Sequence, residues 1–147
     1  MAREMFRPTA AIGGVPLHAM LVPFPIACFT GALLTDIAYS RTAQVQWTNF
    51  SQWLLAFGLF MGLLAALFGL IDFLAAGRDR PAIGWLHLAG NAVILVIVGF
   101  NNFIHARDGW TGVVPIGLTL SIVTVLLLVV TGFLGHRMAY RHVGDRT

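Results

Sequence analysis

The sequence has little charge, a single cysteine and no lysine, and each shortage excludes a class of protein. Only 10% of the 147 residues are charged, whereas soluble domains carry about 25%. Cys28 can form no disulfide within the chain and belongs to no Cys-x-x-Cys pair of a zinc or iron–sulfur site. All 9 basic residues are arginine, and no basic stripe with interleaved aromatic residues is present, so nucleic-acid binding is not expected.

Apolar residues make up 58% of the sequence, and the mean hydropathy is +0.82. They concentrate in four runs, over residues 21–39, 50–76, 83–104 and 113–134. A membrane-spanning helix needs about 20 apolar residues, and helix is the structure that satisfies every backbone amide within its own segment. We therefore predict an all-α integral membrane four-helix bundle, a single membrane domain over residues 1–147 in a lipid bilayer.

The arginines are distributed unequally between the two sides of these spans. Two of them, Arg41 and Arg107, fall on one side. Seven fall on the other: Arg3, Arg7, Arg78, Arg80, Arg137, Arg141 and Arg146. The positive-inside rule then predicts that both termini are cytoplasmic. The aromatic belts agree, with Trp47, Trp53 and Trp110 at the outer interface and Trp85 and Tyr140 at the inner one.

Polar residues gather at the cytoplasmic level of the predicted bundle. They come from all four helices: His18, Asp72, His87 and His142. Asn91 follows His87 by four residues and shares its helix face. Neutral imidazoles are good ligands for haem iron, zinc or copper, and a carboxylate can orient a ligand imidazole. A helix-end histidine can instead bond a headgroup or a backbone carbonyl, and Asp72 could pair with Arg78 or Arg80.

Four further features carry less weight. His105 could join Asp36, Asn101 and Asn102 in an outer site, but we expect a solvated loop residue. The small residues of the second span predict a general packing face rather than a dimer seam; they are Gly58, Gly62, Ala65, Ala66 and Gly69. The spans contain no clear tandem repeat. No enzyme motif appears, so a non-catalytic protein is favoured.

The segment from Gly14 to Ala27, which reads GVPLHAMLVPFPIA, resembles the opening motif of the domain-of-unknown-function 2231 family of bacterial membrane proteins. The Gly-x-x-Asp from Gly69 to Asp72 is similar to the end of that family's second span. His87 with Asn91, and the ending from Gly132 to Gly144, also match the pattern. Val15, Ala19 and Val143 depart from it; Val15 stands at the usual first histidine, so a carried-over site rests on His18, His87 and His142.

The resemblance implies a location in the bacterial inner (plasma) membrane, and similar proteins occur beside redox modules. Three functional hypotheses follow. The first is a non-catalytic accessory or structural subunit of a redox or energy-transducing membrane complex, with partner subunits or a second copy against its apolar faces. The second is an electron-transfer protein that binds a b-type haem through His18 and His87, with Asp72, Asn91 and His142 around it. The third is a metal or proton site at the same residues, with His18 and His87 as metal ligands.

Overall fold

The computed structural model describes residues 9–77, 82–106 and 112–144, and the side chains up to residue 138. A two-stranded hairpin, β1 (Ala11–Ile12) and β2 (Val15–Pro16), leads into a short helix, α1 (Leu17–Leu21). Four longer helices follow: α2 (Pro23–Thr42), α3 (Val45–Ala75), α4 (Ala82–Ala106) and α5 (Leu118–Gly144), the last preceded by a kinked segment (Val113–Gly117) in which Val114 is extended. Among the described residues, four segments are long and apolar enough to cross a membrane. They are Leu17–Thr42, Val45–Ala75, Ala82–Ala106 and Val113–Met138.

The helix boundaries follow from local chemistry. Pro23 opens α2 at a position whose amide has no helical partner. Ala43 takes a left-handed conformation (φ 54°) and ends that helix by donating its N–H to the carbonyl of Tyr39. Gly77 takes the left-handed conformation after α3 (φ 55°), where glycine has no steric penalty. Each of the four predicted apolar runs falls within one of the long helical segments, but α3 begins at Val45, before the predicted residue 50, and α5 continues to Gly144, beyond the predicted residue 134.

The bundle packs α2 against α3 and α5, and α4 against the same two helices, so α2 and α4 face each other across the bundle axis. Its middle is apolar. The buried core comprises Cys28, Phe29, Ala32, Leu55, Ile94 and Val98. Leu54, Leu59, Leu127 and Leu128 pack against it.

The two helical hairpins, α2–α3 and α4–α5, bury equivalent positions, although the sequence shows no clear repeat. Four buried positions of α4 each lie 69 residues after a buried position of α2. These pairs are Pro25 and Ile94, Phe29 and Val98, Ala32 and Asn101, and Asp36 and His105.

The second helix of each hairpin repeats the pattern with an offset of 66 residues. The buried pairs are Ser51 and Gly117, Leu55 and Ser121, Gly58 and Thr124, and Ala65 and Thr131. The residue types differ at every one of these pairs, so the repeat is one of burial rather than of sequence. We refer to this correspondence of buried positions as a pseudo-two-fold repeat; the polar sites described below each draw residues from both hairpins.

Candidate functional site: a pair of histidines

The structure brings His18 of α1 and His87 of α4 together at the end of the bundle that carries the chain termini. Their ring centroids are 6.2 Å apart, and the ring planes cross at 84°. The two residues lie 69 positions apart, the offset that relates α2 to α4. The shared depth expected from the span order is therefore observed, and the pair is related by the pseudo-two-fold repeat.

Nδ1 of each imidazole is hydrogen-bonded to a main-chain carbonyl of a neighbouring helix, which is α3 for His18 and α5 for His87. His18 Nδ1 lies 2.8 Å from the carbonyl oxygen of Ala65, and His87 Nδ1 lies 3.0 Å from that of Thr131. Because a carbonyl oxygen can only accept, Nδ1 carries the proton in both rings. In the neutral imidazole the lone pair is then on Nε2, the nitrogen available to a metal.

A glycine one turn beyond each carbonyl makes room for the ring. A Cβ atom at Gly69 would lie 2.7 Å from His18 Nδ1, and one at Gly135 would lie 3.0 Å from His87 Cε1. These approaches are too close for a side chain to be added without movement of the imidazole. Gly69 and Gly135 are also 66 positions apart, so the unit of histidine, carbonyl and glycine occurs once in each hairpin.

Asn91 lies beside His87, as its spacing predicted. Its Nδ2 donates to the main-chain carbonyl of His87 at 2.8 Å and is 3.3 Å from His87 Nε2. The longer contact is a weak hydrogen bond to the nitrogen that is otherwise free. Asn91 therefore caps the ring of His87 in this arrangement.

Within the described residues, Asp72 is bonded to the main chain and not to His18 or His87, although the sequence suggested that a carboxylate could orient the ligand rings. It is 9% exposed, and its Oδ1 accepts the main-chain N–H of Ala10 at 2.9 Å. Asp72 thus anchors the N-terminal hairpin, directly before the helix that carries His18. Main-chain carbonyls orient the rings instead, because the small residues of α3 and α5 let the histidines reach the backbone.

Some of the predicted contacts fall outside the described residues. The side chain of His142 is one of these, as are Arg78 and Arg80, the alternative partners of Asp72. Within the described ranges no group of three His, Cys, Asp or Glu side chains is placed to hold a metal ion. The two imidazoles are therefore the donor set that the described structure offers at this end.

The opposite end of the bundle holds a second polar group, and here the expectation for His105 was wrong. His105 is not in a solvated loop; it is buried and lies 2.9 Å from Asp36 Oδ1 through Nε2. Asn101 is also fully buried there. From the sequence, Asp36, Asn101 and His105 were predicted to share one depth. No sequence pattern indicated that Ser51 and Ser121 join them, although both bond to Asp36. The common 18-residue spacing from His18 to Asp36 and from His87 to His105 is the signal that could have linked the two ends.

The stripe of small residues on α3 packs within the chain, as predicted. A Cβ at Gly58 would lie 2.5 Å from Phe29 Cε1 of α2, and one at Gly62 would lie 2.9 Å from Leu95 Cδ2 of α4. Gly69 receives His18, and Ala65 is buried. The stripe is thus a packing face between helices of one bundle.

A family model described as "Predicted membrane protein (DUF2231)" matches residues 14–146. No curated protein and no solved structure matches the chain. The matched range includes both histidines, both glycines and the whole bundle.

Proposed function

The chain belongs to the DUF2231 family of predicted membrane proteins, and from its paired histidines we propose that it is an electron-transfer protein binding one b-type haem. His18 and His87 are the axial ligands in this proposal. The bound haem would supply a one-electron carrier within the membrane.

The observation that carries the proposal is the separation of the two rings. Two imidazoles on opposite sides of one iron have centroids roughly 6 Å apart, since each metal–nitrogen bond is about 2 Å and each nitrogen lies roughly 1 Å from its ring centre. The centroids of His18 and His87 are 6.2 Å apart in an edge-to-face arrangement, which matches this separation and also lies in the ordinary range for two rings in direct contact. The rings come from diagonal parts of the bundle, which is where bundle proteins commonly hold a cofactor between facing helices.

The chain's own groups prepare both rings for a metal. The carbonyls of Ala65 and Thr131 accept the Nδ1 protons, which fixes the tautomer and makes Nε2 the ligand nitrogen. Gly69 and Gly135 allow the rings to lie against α3 and α5. For a metal to bind, the hydrogen bond between Asn91 Nδ2 and His87 Nε2 must break. The Asn91 side chain therefore covers this nitrogen and is not itself a ligand.

A second candidate is a non-catalytic accessory or structural subunit of a bacterial inner-membrane complex of redox or energy-transducing type. The observation in its favour is that His18, His87 and Asp72 all bond to main-chain atoms of other elements. Such bonds hold helix ends together without any cofactor. Large exposed apolar side chains, including Phe60, Phe100 and Phe103, would then contact partner subunits or a second copy as well as lipid. A metal or proton site at the same histidines stays a prediction.

The test is the reduced-minus-oxidised visible spectrum of the protein, purified in mild detergent from cells supplied with haem. We expect a haem α-band that is lost, at least tenfold, in both His18→Ala and His87→Ala. His136→Ala, an exposed position one residue from Gly135, is the matched control and should keep the band. Asn91→Ala should keep it too, since the amide is not a ligand. A featureless spectrum of the wild-type protein would reject the haem proposal and favour the accessory-subunit hypothesis.

A further inference from the structure

A buried polar cluster lies at the end of the bundle opposite the two histidines, and the proposed haem does not involve it. We call it the Asp36 cluster. It consists of Asp36, Ser51, Asn101, His105 and Ser121, all of which are buried. It draws on α2, α3, α4 and α5, so every long helix contributes at least one side chain.

Asp36 is the centre of the cluster and receives three hydrogen-bonding groups. Ser51 donates its hydroxyl to Oδ1 at 2.6 Å, and Ser121 donates its hydroxyl to Oδ2 at 2.6 Å. His105 Nε2 lies 2.9 Å from Oδ1. Both oxygens of the carboxyl group therefore accept a hydroxyl donor from another helix.

The hydrogen bonds leave one proton between Asp36 and His105. His105 Nδ1 lies 2.9 Å from the main-chain carbonyl of Asn101, which can only accept, so this nitrogen carries a proton. The contact between Nε2 and Oδ1 also needs one proton, which can sit on either atom. The pair is an imidazolium with a carboxylate, or a neutral imidazole with a carboxylic acid, and both forms have zero net charge. The proton can move between the two atoms without a change in the net charge of the pair, whereas its release to the solvent leaves one carboxylate charge that still accepts the hydroxyl groups of Ser51 and Ser121.

The remaining polar atoms of this layer offer positions for water. Ser121 gives its only proton to Asp36, so it must accept from Asn101, whose Nδ2 lies 2.9 Å away. This fixes the orientation of the Asn101 amide and leaves its Oδ1 buried without a partner. Thr124 Oγ1, one turn along α5 from Ser121, is likewise buried without a partner. Buried polar atoms of this kind are commonly satisfied by internal water.

Two hydroxyl groups, those of Ser51 and Thr35, lead from Asp36 to a side chain that is less buried. Thr35 is half-buried, and its Oγ1 lies 2.7 Å from Ser51 Oγ. Ser51 in turn donates to Asp36. Thr35 Oγ1 also lies 3.0 Å from the carbonyl oxygens of Gly31 and Ala32. When Thr35 donates to Ser51 instead, the three residues form a continuous hydrogen-bonded series that a proton can follow.

We propose that the Asp36 cluster is a proton-exchange site. Asp36 and His105 hold a proton and exchange it with the aqueous solvent at this end of the bundle. The proton passes through bound water and hydroxyl groups. The site is separated from His18 and His87 by the apolar core. It stands independently of any haem at the other end.

Among the described residues, few other ionisable groups lie near the pair; Arg107 and Asp108, which follow α4 in the sequence, lie outside the described ranges. On α2, Tyr39 and the exposed Arg41 follow Asp36 by three and five residues. The described parts of α3 and α5 contribute hydroxyl groups to the cluster but no ionisable side chain, and α4 contributes His105 alone. A change of protonation at this site is therefore expected to involve Asp36 and His105 together.

The test is nitrogen NMR of the full chain, labelled with ¹⁵N-histidine and placed in lipid nanodiscs without added haem. The signal of His105 is identified by its loss in His105→Gln. Across the pH range in which the helical circular dichroism is unchanged, we expect His105 Nε2 to pass once between its protonated and unprotonated signals. In Asp36→Asn this step should move or disappear, whereas Asp72→Asn, at the other end, should leave it in place.

A single protonation state of His105 Nε2 throughout the folded range would overturn the proposal and make the pair a fixed structural bond. A step that is unchanged in Asp36→Asn would also overturn it, since the carboxyl group would then have no part. If Asp36→Asn fails to fold, the wild-type titration still decides between an exchanging and a fixed proton.

Discussion

At the scale of single residues, the polar side chains of the spans are bonded mainly to the backbone and to one another across helices. His18 and His87 each use one nitrogen for a carbonyl, and His105 uses both nitrogens. The sequence indicated which polar residues share a depth, because the depth follows from the position in a span. It could not indicate Ala65, Thr131 or the two glycines as partners, since nothing in their residue type marks a contact with a histidine.

The glycines beneath the histidines give the first prediction. Gly69→Ala and Gly135→Ala should each displace an imidazole, because the new Cβ would lie 2.7 and 3.0 Å from ring atoms. We expect a loss of stability of about 1–3 kcal/mol, measured by denaturation in detergent, together with reduced haem content.

Gly132→Ala is the matched control on α5, where a Cβ would meet nothing within 4 Å. There alanine should be neutral or stabilising by up to about 1 kcal/mol, because glycine is the poorer helix former. Equal effects of Gly132→Ala and Gly135→Ala would contradict the assigned role of Gly135.

The Asp36–His105 pair gives the second prediction, which concerns stability alone. His105→Ala leaves the Asp36 carboxyl group buried without its main partner, and breaking such a pair costs about 3–5 kcal/mol. Adding Asp36→Asn to His105→Ala should recover part of this loss, because the unpaired charge is then removed. The measurement is a double-mutant cycle of unfolding free energies, and additive effects of the two changes would contradict the pairing.

At the scale of elements, the apolar runs predicted the four spans well, because a membrane-spanning helix must be long and apolar. The helical segment extends beyond the first run, from Leu17 to Thr42, and the hydroxyls of Ser40 and Thr42 at its end donate to main-chain carbonyls of the same helix. The repeat of the two hairpins was missed for a physical reason. Equivalent positions such as Ala32 and Asn101 share burial but not polarity, so hydropathy alone does not relate them.

The contact between α2 and α3 gives the third prediction. Gly58→Ala would bring a Cβ to 2.5 Å from Phe29 Cε1 and 2.8 Å from the Cβ of Cys28. The helices would have to separate, and we expect a loss of about 1–3 kcal/mol. Gly99→Ala on α4, where a Cβ meets nothing within 4 Å, should show no loss. A wild-type unfolding midpoint for Gly58→Ala would mean that α2 and α3 are less closely packed than described.

At the scale of the whole molecule, the pseudo-two-fold repeat sets a pair of imidazoles at one end and a carboxylate–imidazole pair at the other. Both pairs are formed by residues 69 positions apart. The apolar core between them separates the two polar sites. The bundle is thus organised as two polar layers around one apolar layer, each polar layer drawing its central residues from both hairpins.

The fourth prediction concerns orientation in the membrane. The arginine distribution predicts that both termini, and the chain between α3 and α4, lie on the cytoplasmic side. Single cysteines can be added without removing Cys28, because Cys28 is buried. In whole cells, a membrane-impermeant thiol reagent should label Gln44→Cys, between α2 and α3, and should not label Thr9→Cys before the first hairpin. The reverse labelling would invert the orientation.

Electron paramagnetic resonance of the oxidised protein tests most directly whether His18 and His87 together bind one haem iron. We predict a low-spin signal typical of two imidazole ligands in the wild-type protein, lost in His18→Ala and in His87→Ala and kept in His136→Ala. A wild-type protein without a haem signal, or one whose low-spin signal persists in both single variants, would contradict the claim.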